Sequence, residues 1–197
     1  MKRREVWGIA LTVTAALEAW ADHAIYEAYR AAARDDLLLY IGMPADSVSS
    51  WFRIAAILCG GAGLSFLLPS LIRRIRRKVP RRIVAWTIGV AAAVAVPHFG
   101  LMLLFAALGA FGIGDTTKIV AADVISVLVS QDGFDGDSVV IYAEYDEFHY
   151  KRVRDAPEIA GWPRVKDQDC RLQTAGNGLL LICGDKELKV YPEDAAG

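Results

Sequence analysis

The chain has 197 residues, 54% of them hydrophobic, and a formal net charge of -1. Its mean hydropathy of +0.31 is high for a soluble domain and typical of a chain that lipid partly solvates, which argues against a purely soluble protein. The near-neutral total hides a segregation of charge. Residues 72–82 carry seven bases and no acid, whereas residues 115–197 carry sixteen acids and nine bases.

Three apolar stretches predict three transmembrane helices, at about 6–35, 50–71 and 83–113. The first also fits a secretory signal peptide, because Ala19 and Ala21 form a small-x-small cleavage pattern. Glu18 lies unfavourably close before that pattern, so we expect a retained helix. The third stretch is long, but cutting it at Pro97 would leave two pieces too short to cross, which favours one kinked, tilted helix.

The connection between the second and third stretches, residues 72–82, is strongly basic. Short loops rich in Lys and Arg remain in the cytoplasm, so this loop predicts a cytoplasmic N-terminus and an extracytoplasmic C-terminal region. Its position between two spans favours contact with anionic lipid headgroups over nucleic-acid binding. The predicted headgroup ligands are Arg73, Arg74, Arg76, Arg77, Lys78, Arg81 and Arg82. The Ala- and Arg-rich composition is typical of a bacterial inner-membrane protein.

From residue 115 onward, short β-branched and aromatic runs alternate with Gly, Asp and Pro, which predicts a small β-rich domain. The predicted fold is therefore a three-helix transmembrane domain, residues 1–114, followed by an extracytoplasmic β-rich domain, residues 115–197. A separate apolar patch at 37–41 is expected to lie at the membrane interface or against a neighbour. The expected strands are 119–130, 138–145, 147–153, 170–174, 179–183 and 187–191, the first of which also suits a helix face.

Two cysteines of the C-terminal region lie at positions that suit a disulfide. The turn residues at 175–178 predict a hairpin, and in a hairpin centred there Cys170 and Cys183 are directly opposed. An oxidising compartment allows the bond, and a domain of this size benefits from it. Two free thiols would be expected only if the domain were cytoplasmic.

Three polar residues fall inside the apolar stretches, where charge is costly: Glu18, Arg53 and His98. Counting from Trp20 and Trp51 places Glu18 and Arg53 at a similar depth, which predicts an ion pair between them; the alternative is that each reaches the headgroups separately. His98 follows Pro97 in the third stretch and is expected to hydrogen-bond at the kink or to another helix.

Small residues at helical spacing predict close contacts between helices. The expected packing residues are Ala56, Gly60, Gly63, Gly89 and Ala93, with a further pair at Ala106 and Ala110. Such positions let helix backbones approach one another in lipid, where the hydrophobic effect does not drive association.

No pattern for a catalytic triad, a zinc protease or a phosphate-binding loop is present, and no catalytic residue, cofactor or metal is predicted. The run from Asp132 to Asp137 resembles a fragment of a calcium loop but lacks the closing Glu, so a solvated turn is the better interpretation. We expect a non-enzymatic accessory or assembly subunit that presents its outer domain to a protein partner. The alternative is a homo-oligomeric pore or transport element that uses Glu18, Arg53 and His98.

Overall fold

A computed structural model describes residues 3–75, 78–111, 114–121, 125–131, 136–175 and 178–190. Within these ranges the chain forms three long helices and eight strands. It divides into two compact units. The helical unit comprises Met1–Ile25 and Val48–Ala110, and the β unit comprises Tyr26–Ser47 and Phe111–Gly197.

The three helices are longer than one perpendicular membrane crossing needs. Helix α1 is Arg3–Arg34, α2 is Ala45–Arg74 and α3 is Lys78–Ala110. Within the described residues, α2 and α3 are the helices whose length and apolar composition suffice to cross a membrane. Their apolar side chains are largely exposed, as at Leu58, Leu64 and Phe105, so neither is the covered core helix of a soluble protein. These two helices indicate that the protein associates with a membrane.

The basic connection is shorter than the sequence predicts, because α2 continues to Arg74 and α3 already begins at Lys78. Arg and Lys are good helix formers, so a basic segment can extend a helix beyond its apolar part. Pro80 lies in the first turn of α3, where its missing N–H breaks no helical hydrogen bond. Pro97 lies inside α3, which runs through it as one helix.

The β unit contains two antiparallel sheets. The larger one has the strand order β1-β5-β4-β3-β2, and the smaller one has the order β6-β7-β8. Their bounds are Leu37–Leu39 (β1), Asp115–Val120 (β2), Ser126–Gln131 (β3), Val139–Glu144 (β4), His149–Asp155 (β5), Cys170–Ala175 (β6), Gly178–Cys183 (β7) and Lys186–Val190 (β8). A shared apolar core includes Val127, Ile141, Leu181 and Val190.

Two parts of the larger sheet differ from the sequence prediction. The predicted strand at 119–130 is wrong, because Val120 pairs with Ser126 and the chain therefore reverses between β2 and β3. This run contains no Gly or Pro that would mark a turn, so its pattern predicts one continuous strand. The apolar patch at 37–41, expected at the membrane interface or against a neighbour, supplies an edge strand. Leu37–Leu39 pairs with β5, with Leu38 opposite Tyr150.

The predicted disulfide is confirmed. Cys170 and Cys183 are bonded and directly opposed in the β6–β7 hairpin. Ala175 pairs with Gly178, so the hairpin is centred where the turn residues place it, although residues 176–177 lie outside the described residues. Covalent closure of this hairpin reinforces a small core that two thin sheets share.

Candidate helix-packing site between α1 and α2

Helices α1 and α2 run antiparallel in close contact, and the contacts follow one register. Residue numbers of facing pairs add to 75 at Thr12 and Gly63 and again at Asp22 and Arg53. Contacts in this register extend from Glu5, which faces Ser70, to Asp22 along α1. The pair is therefore a continuous seam rather than a single crossing point.

Glycines allow the close approach in the middle of the seam. A Cβ placed on Gly63 would lie 2.6 Å from Thr12 Oγ1 and 3.1 Å from the carbonyl oxygen of Gly8. One placed on Gly8 would lie 2.7 Å from Leu67 Cγ, whereas one on Gly60 would meet Ala15 Cβ at an ordinary 3.6 Å. Both Gly8 and Gly63 must therefore lack a side chain for this distance to be kept. The spacing of small residues predicts Gly60 and Gly63 as packing positions but not their partners on α1.

Thr12 is held in place at the tightest point. Its hydroxyl donates a hydrogen bond of 2.8 Å to the carbonyl oxygen of Gly8, one turn earlier in α1. A hydroxyl that bonds its own helix satisfies its polarity inside an apolar seam and needs no water. The side chain can then face Gly63 as a compact group of nearly apolar character.

One end of the seam carries an ion pair between Asp22 and Arg53. Arg53 Nε lies 3.0 Å from Asp22 Oδ2 and Nη2 lies 3.1 Å from Oδ1, while the Ser49 hydroxyl donates to the same carboxylate. The Asp22 side chain is only 16% exposed. The expected ion pair between Glu18 and Arg53 is therefore wrong: the partner of Arg53 lies one turn further along α1, where the common register places it.

The other end of the seam carries a second ion pair of the same design. Arg74 Nη2 lies 2.9 Å from Glu5 Oε1, and the Ser70 hydroxyl donates to the same oxygen. The Glu5 side chain is 12% exposed. Each end thus combines an acid of α1 with an Arg and a Ser of α2 that are four residues apart. Bonds to a charged carboxylate are stronger than neutral ones, so these groups fix the register.

Glu18 lies inside the seam beside Cys59. The Cys59 thiol contacts Glu18 Oε1 at 3.9 Å, which is a weak hydrogen bond. The other oxygen, Oε2, is buried without a hydrogen-bond partner among the described residues. A buried carboxylate without full hydrogen bonding is costly, so Glu18 is the least satisfied group of this site.

The structure does not bring the three predicted intramembrane polar residues together. Glu18 contacts Cys59 and Arg53 contacts Asp22, whereas His98 lies on α3 with its ring edge-on to Phe99, the ring centroids 5.9 Å apart. His98 is exposed in the chain as it stands. Glu18 and Arg53 are therefore engaged in contacts between α1 and α2.

Helix α3 has its small residues in two settings. Near its C-terminus, a Cβ on Gly109 would lie 2.6 Å from Ser50 Oγ, and Ala106 is buried. Nearer its N-terminus, Gly89 has open space around its Cα. There a shallow groove of about 440 Å³ is lined by Ala85, Trp86, Gly89, Val90 and Ala93. The α3 groove is thus a small-residue surface that this chain leaves open.

The described basic residues near the α2–α3 connection are exposed. Arg76 and Arg77 lie outside the described residues. Arg74 is the one drawn into the ion pair with Glu5. The exposed members are Arg73, Arg74, Lys78, Arg81 and Arg82.

The β unit contains a buried polar network, which involves Ser126, Glu144 and Tyr150. The Ser126 hydroxyl lies 2.8 Å from Tyr150 Oη and bonds the Glu144 carboxylate, and Lys118 Nζ lies 5.6 Å from the centre of the Tyr150 ring. A hydrogen bond with Tyr150 raises the pKa of Lys118, although desolvation opposes that shift. Ser126 is 1% exposed. The network satisfies buried polar groups of the sheet.

Within the described ranges, no three His, Cys, Asp or Glu side chains converge as metal ligands. The expected turn from Asp132 lies outside those ranges up to residue 135. No protein-family model matches this chain, and neither a curated protein nor a solved structure matches it.

Proposed function

We propose that the protein is a non-enzymatic membrane subunit that binds a partner's transmembrane helix at the α3 groove and presents its β unit to that partner outside the cytoplasm. The observation that carries the proposal is the contrast between two small-residue surfaces. In the α1–α2 seam, Thr12 occupies the space beside Gly63 and Leu67 the space beside Gly8. In contrast, Gly89 and Ala93 of α3 line an open groove. In lipid, such a surface favours a second helix at close range.

The proposal includes α1 as a third span. The seam extends from Glu5 to Asp22, which corresponds to about 26 Å along a helix that rises about 1.5 Å per residue. This length is close to the roughly 30 Å hydrocarbon core, and an ion pair at each end suits the two polar interfaces. The apolar part of α1 therefore lies at the same depth in the proposed membrane as the part of α2 that it faces.

The proposed orientation has the N-terminus and the α2–α3 connection in the cytoplasm of a bacterium and the β unit on the other side of its inner membrane. The exposed bases at that connection support this orientation, because cytoplasmic loops retain Lys and Arg. The disulfide between Cys170 and Cys183 supports it independently, since such bonds persist in an oxidising compartment.

The test is site-specific photo-crosslinking in native membranes. A benzophenone amino acid is placed at Val90 in the groove and, as a control, at Val94, which is exposed but does not line the groove. We expect Val90 to capture one protein that also co-purifies in a fixed ratio in mild detergent, and Val94 to capture much less.

Two results would overturn this proposal. A monomeric chain without crosslinks at Val90 would remove the partner. Capture of a second copy of the chain would favour the homo-oligomeric pore instead, and ion flux in liposomes that Glu18→Gln or His98→Ala alters would then be the next measurement.

A further inference from the structure

Two basic side chains continue the α3 groove toward the start of α3. An α-helix turns by about 100° per residue, so residues seven and eleven positions apart return to nearly the same face. Arg82 lies seven residues before Gly89 and Lys78 lies eleven before it, and both are exposed. Each is within about 20° of Gly89 around the helix axis, whereas Arg81 lies about 80° to one side.

The described part of the chain pairs neither Arg82 nor Lys78 with an acid. Glu5 is the only acidic residue among the first 17, and residues 47–114 contain none. The carboxylate of Glu5 is already bound by Arg74, and its side chain is only 12% exposed. A second copy of this chain would therefore bring no available carboxylate to this end of α3.

The α1–α2 seam shows how this chain closes the end of a tight helix contact. There Glu5, which binds an Arg of α2, lies seven residues from Thr12, which faces Gly63 at the closest approach. On α3 the base has the corresponding position, because Arg82 lies seven residues from Gly89. A helix seated over Gly89 would meet Arg82 with a residue two turns away, about 10 Å along its axis. A carboxylate at that point would form a strong, charge-assisted contact that fixes register and partner choice.

We infer that Arg82, supported by Lys78, selects the partner. The helix that binds the α3 groove carries an Asp or Glu near its cytoplasmic end, seven residues from the position that lies against Gly89. This inference rests on the proposed function, because it names the chemistry of that partner. Anionic lipid headgroups are the competing anions, but they would bind Arg81 as readily as Arg82. A helix seated in the groove is held over one face of α3 and distinguishes the two.

The test compares these neighbouring arginines in the full chain. Val90 carries the benzophenone amino acid, and the yield of the crosslinked partner in native membranes is measured per molecule of chain for the parent, Arg82→Gln and Arg81→Gln. Both variants lose one exposed charge from the same turn of α3, so their effects on topology and on lipid attraction are matched. Arg82→Lys is the rescue variant, because it keeps the charge.

We expect Arg82→Gln to lower the yield severalfold, Arg81→Gln to leave it nearly unchanged, and Arg82→Lys to restore most of it. The captured helix should carry an acid at the stated position. Replacement of that acid by its amide should abolish the difference between the parent and Arg82→Gln, which is the signature of a direct pair.

An equal loss of yield in the two Gln variants would assign both arginines to anionic lipid and overturn the inference. Capture that neither substitution alters, or a captured helix without such an acid, would also overturn it and leave the proposed function standing. Absence of capture in the parent, or capture of a second copy of the chain, would overturn both.

Discussion

Asp22 of α1 and Arg53 of α2 form a two-point ion pair, with Arg53 Nε 3.0 Å from Oδ2 and Nη2 3.1 Å from Oδ1. The same carboxylate also accepts a hydrogen bond from Ser49, so it has three donors in all. Its counterpart is the ion pair between Glu5 and Arg74 at the other end of the seam. Between these two fixed ends, the helices are close enough that a glycine is required at position 63.

Replacement of Asp22 by Asn is expected to destabilise the helical unit. The charge is lost while the size is kept, and Arg53 is left with a neutral partner. Because Arg53 is 42% exposed and partly solvated, we expect the free energy of unfolding to fall by only about 1–2 kcal/mol. Titration from mild detergent to SDS, followed by circular dichroism, measures the free energy of unfolding. A double-mutant cycle with Arg53→Gln isolates the coupling.

The matched control for that cycle is the ion pair between Glu27 and Arg30, which also involves α1. Its atoms are 3.7 Å apart and both side chains are about half exposed, so its coupling should be about 0.3 kcal/mol. Equal coupling energies for the two pairs would contradict a specific role for Asp22.

Gly63→Ala is expected to separate α1 from α2. The new methyl group would lie 2.6 Å from Thr12 Oγ1 and 3.0 Å from the Thr12 backbone nitrogen, which cannot move without shifting α1. Overpacking of this kind costs about 1–3 kcal/mol. Gly61→Ala is the control, since a Cβ there meets nothing within 4 Å. The same SDS titration should show a loss for position 63 and little change for position 61. A loss of stability in both variants would mean that alanine is unfavourable at any glycine of this part of α2, and not only where α2 faces α1.

The sequence is informative about elements whose pattern is local. Long apolar runs predict where α2 and α3 lie, and the turn residues at 175–178 predict that Cys170 is opposed to Cys183. In both cases the relevant physics acts within one segment or between two adjacent ones. Hydropathy depends on a window of neighbours, and hairpin register depends on the turn.

The sequence is less informative about contacts between distant segments. Glu18 and Asp22 are one turn apart on α1. A depth counted from Trp20 and Trp51 is too coarse to decide which of them pairs with Arg53. The close contact between Gly63 of α2 and Thr12 of α1 sets the register of the two helices. That register places Asp22, and not Glu18, opposite Arg53. Likewise, the pairing of Leu38 with Tyr150 joins the two separate chain segments of the β unit, and no turn between them signals it.

Removal of the disulfide is expected to weaken the β unit. The bond closes a loop of 13 residues, for which chain entropy gives about 3 kcal/mol. Urea unfolding, followed by hydrogen exchange of the β6 and β7 amides, should show this loss in a Cys170→Ser, Cys183→Ser double variant and after reduction of the parent chain. Reduction of the double variant itself should change nothing. If it lowers stability further, the reductant acts elsewhere.

Stability of the β unit is expected to fall with acid because of Asp115. Desolvation raises the pKa of this carboxyl, but hydrogen bonds from Arg164 and Lys166 outweigh it and leave the pKa below the ordinary value. The unfolded chain, with a pKa of about 3.9, then binds the proton more readily than the folded one. The stabilisation is therefore complete above the unfolded pKa and is lost as the pH falls through the folded pKa.

Hydrogen exchange of the β2 amides between pH 6 and pH 3, corrected for intrinsic rates, measures this dependence. Asp115→Asn should be less stable than the parent at pH 6 and should converge with it as the solution is acidified, because both carboxamide and protonated acid lack the charge that Arg164 and Lys166 bind. Asp185→Asn, in the exposed turn before β8, is the control and should leave the β2 profile of the parent unchanged. A constant difference between Asp115→Asn and the parent across this range would mean that packing, rather than charge, stabilises the contact.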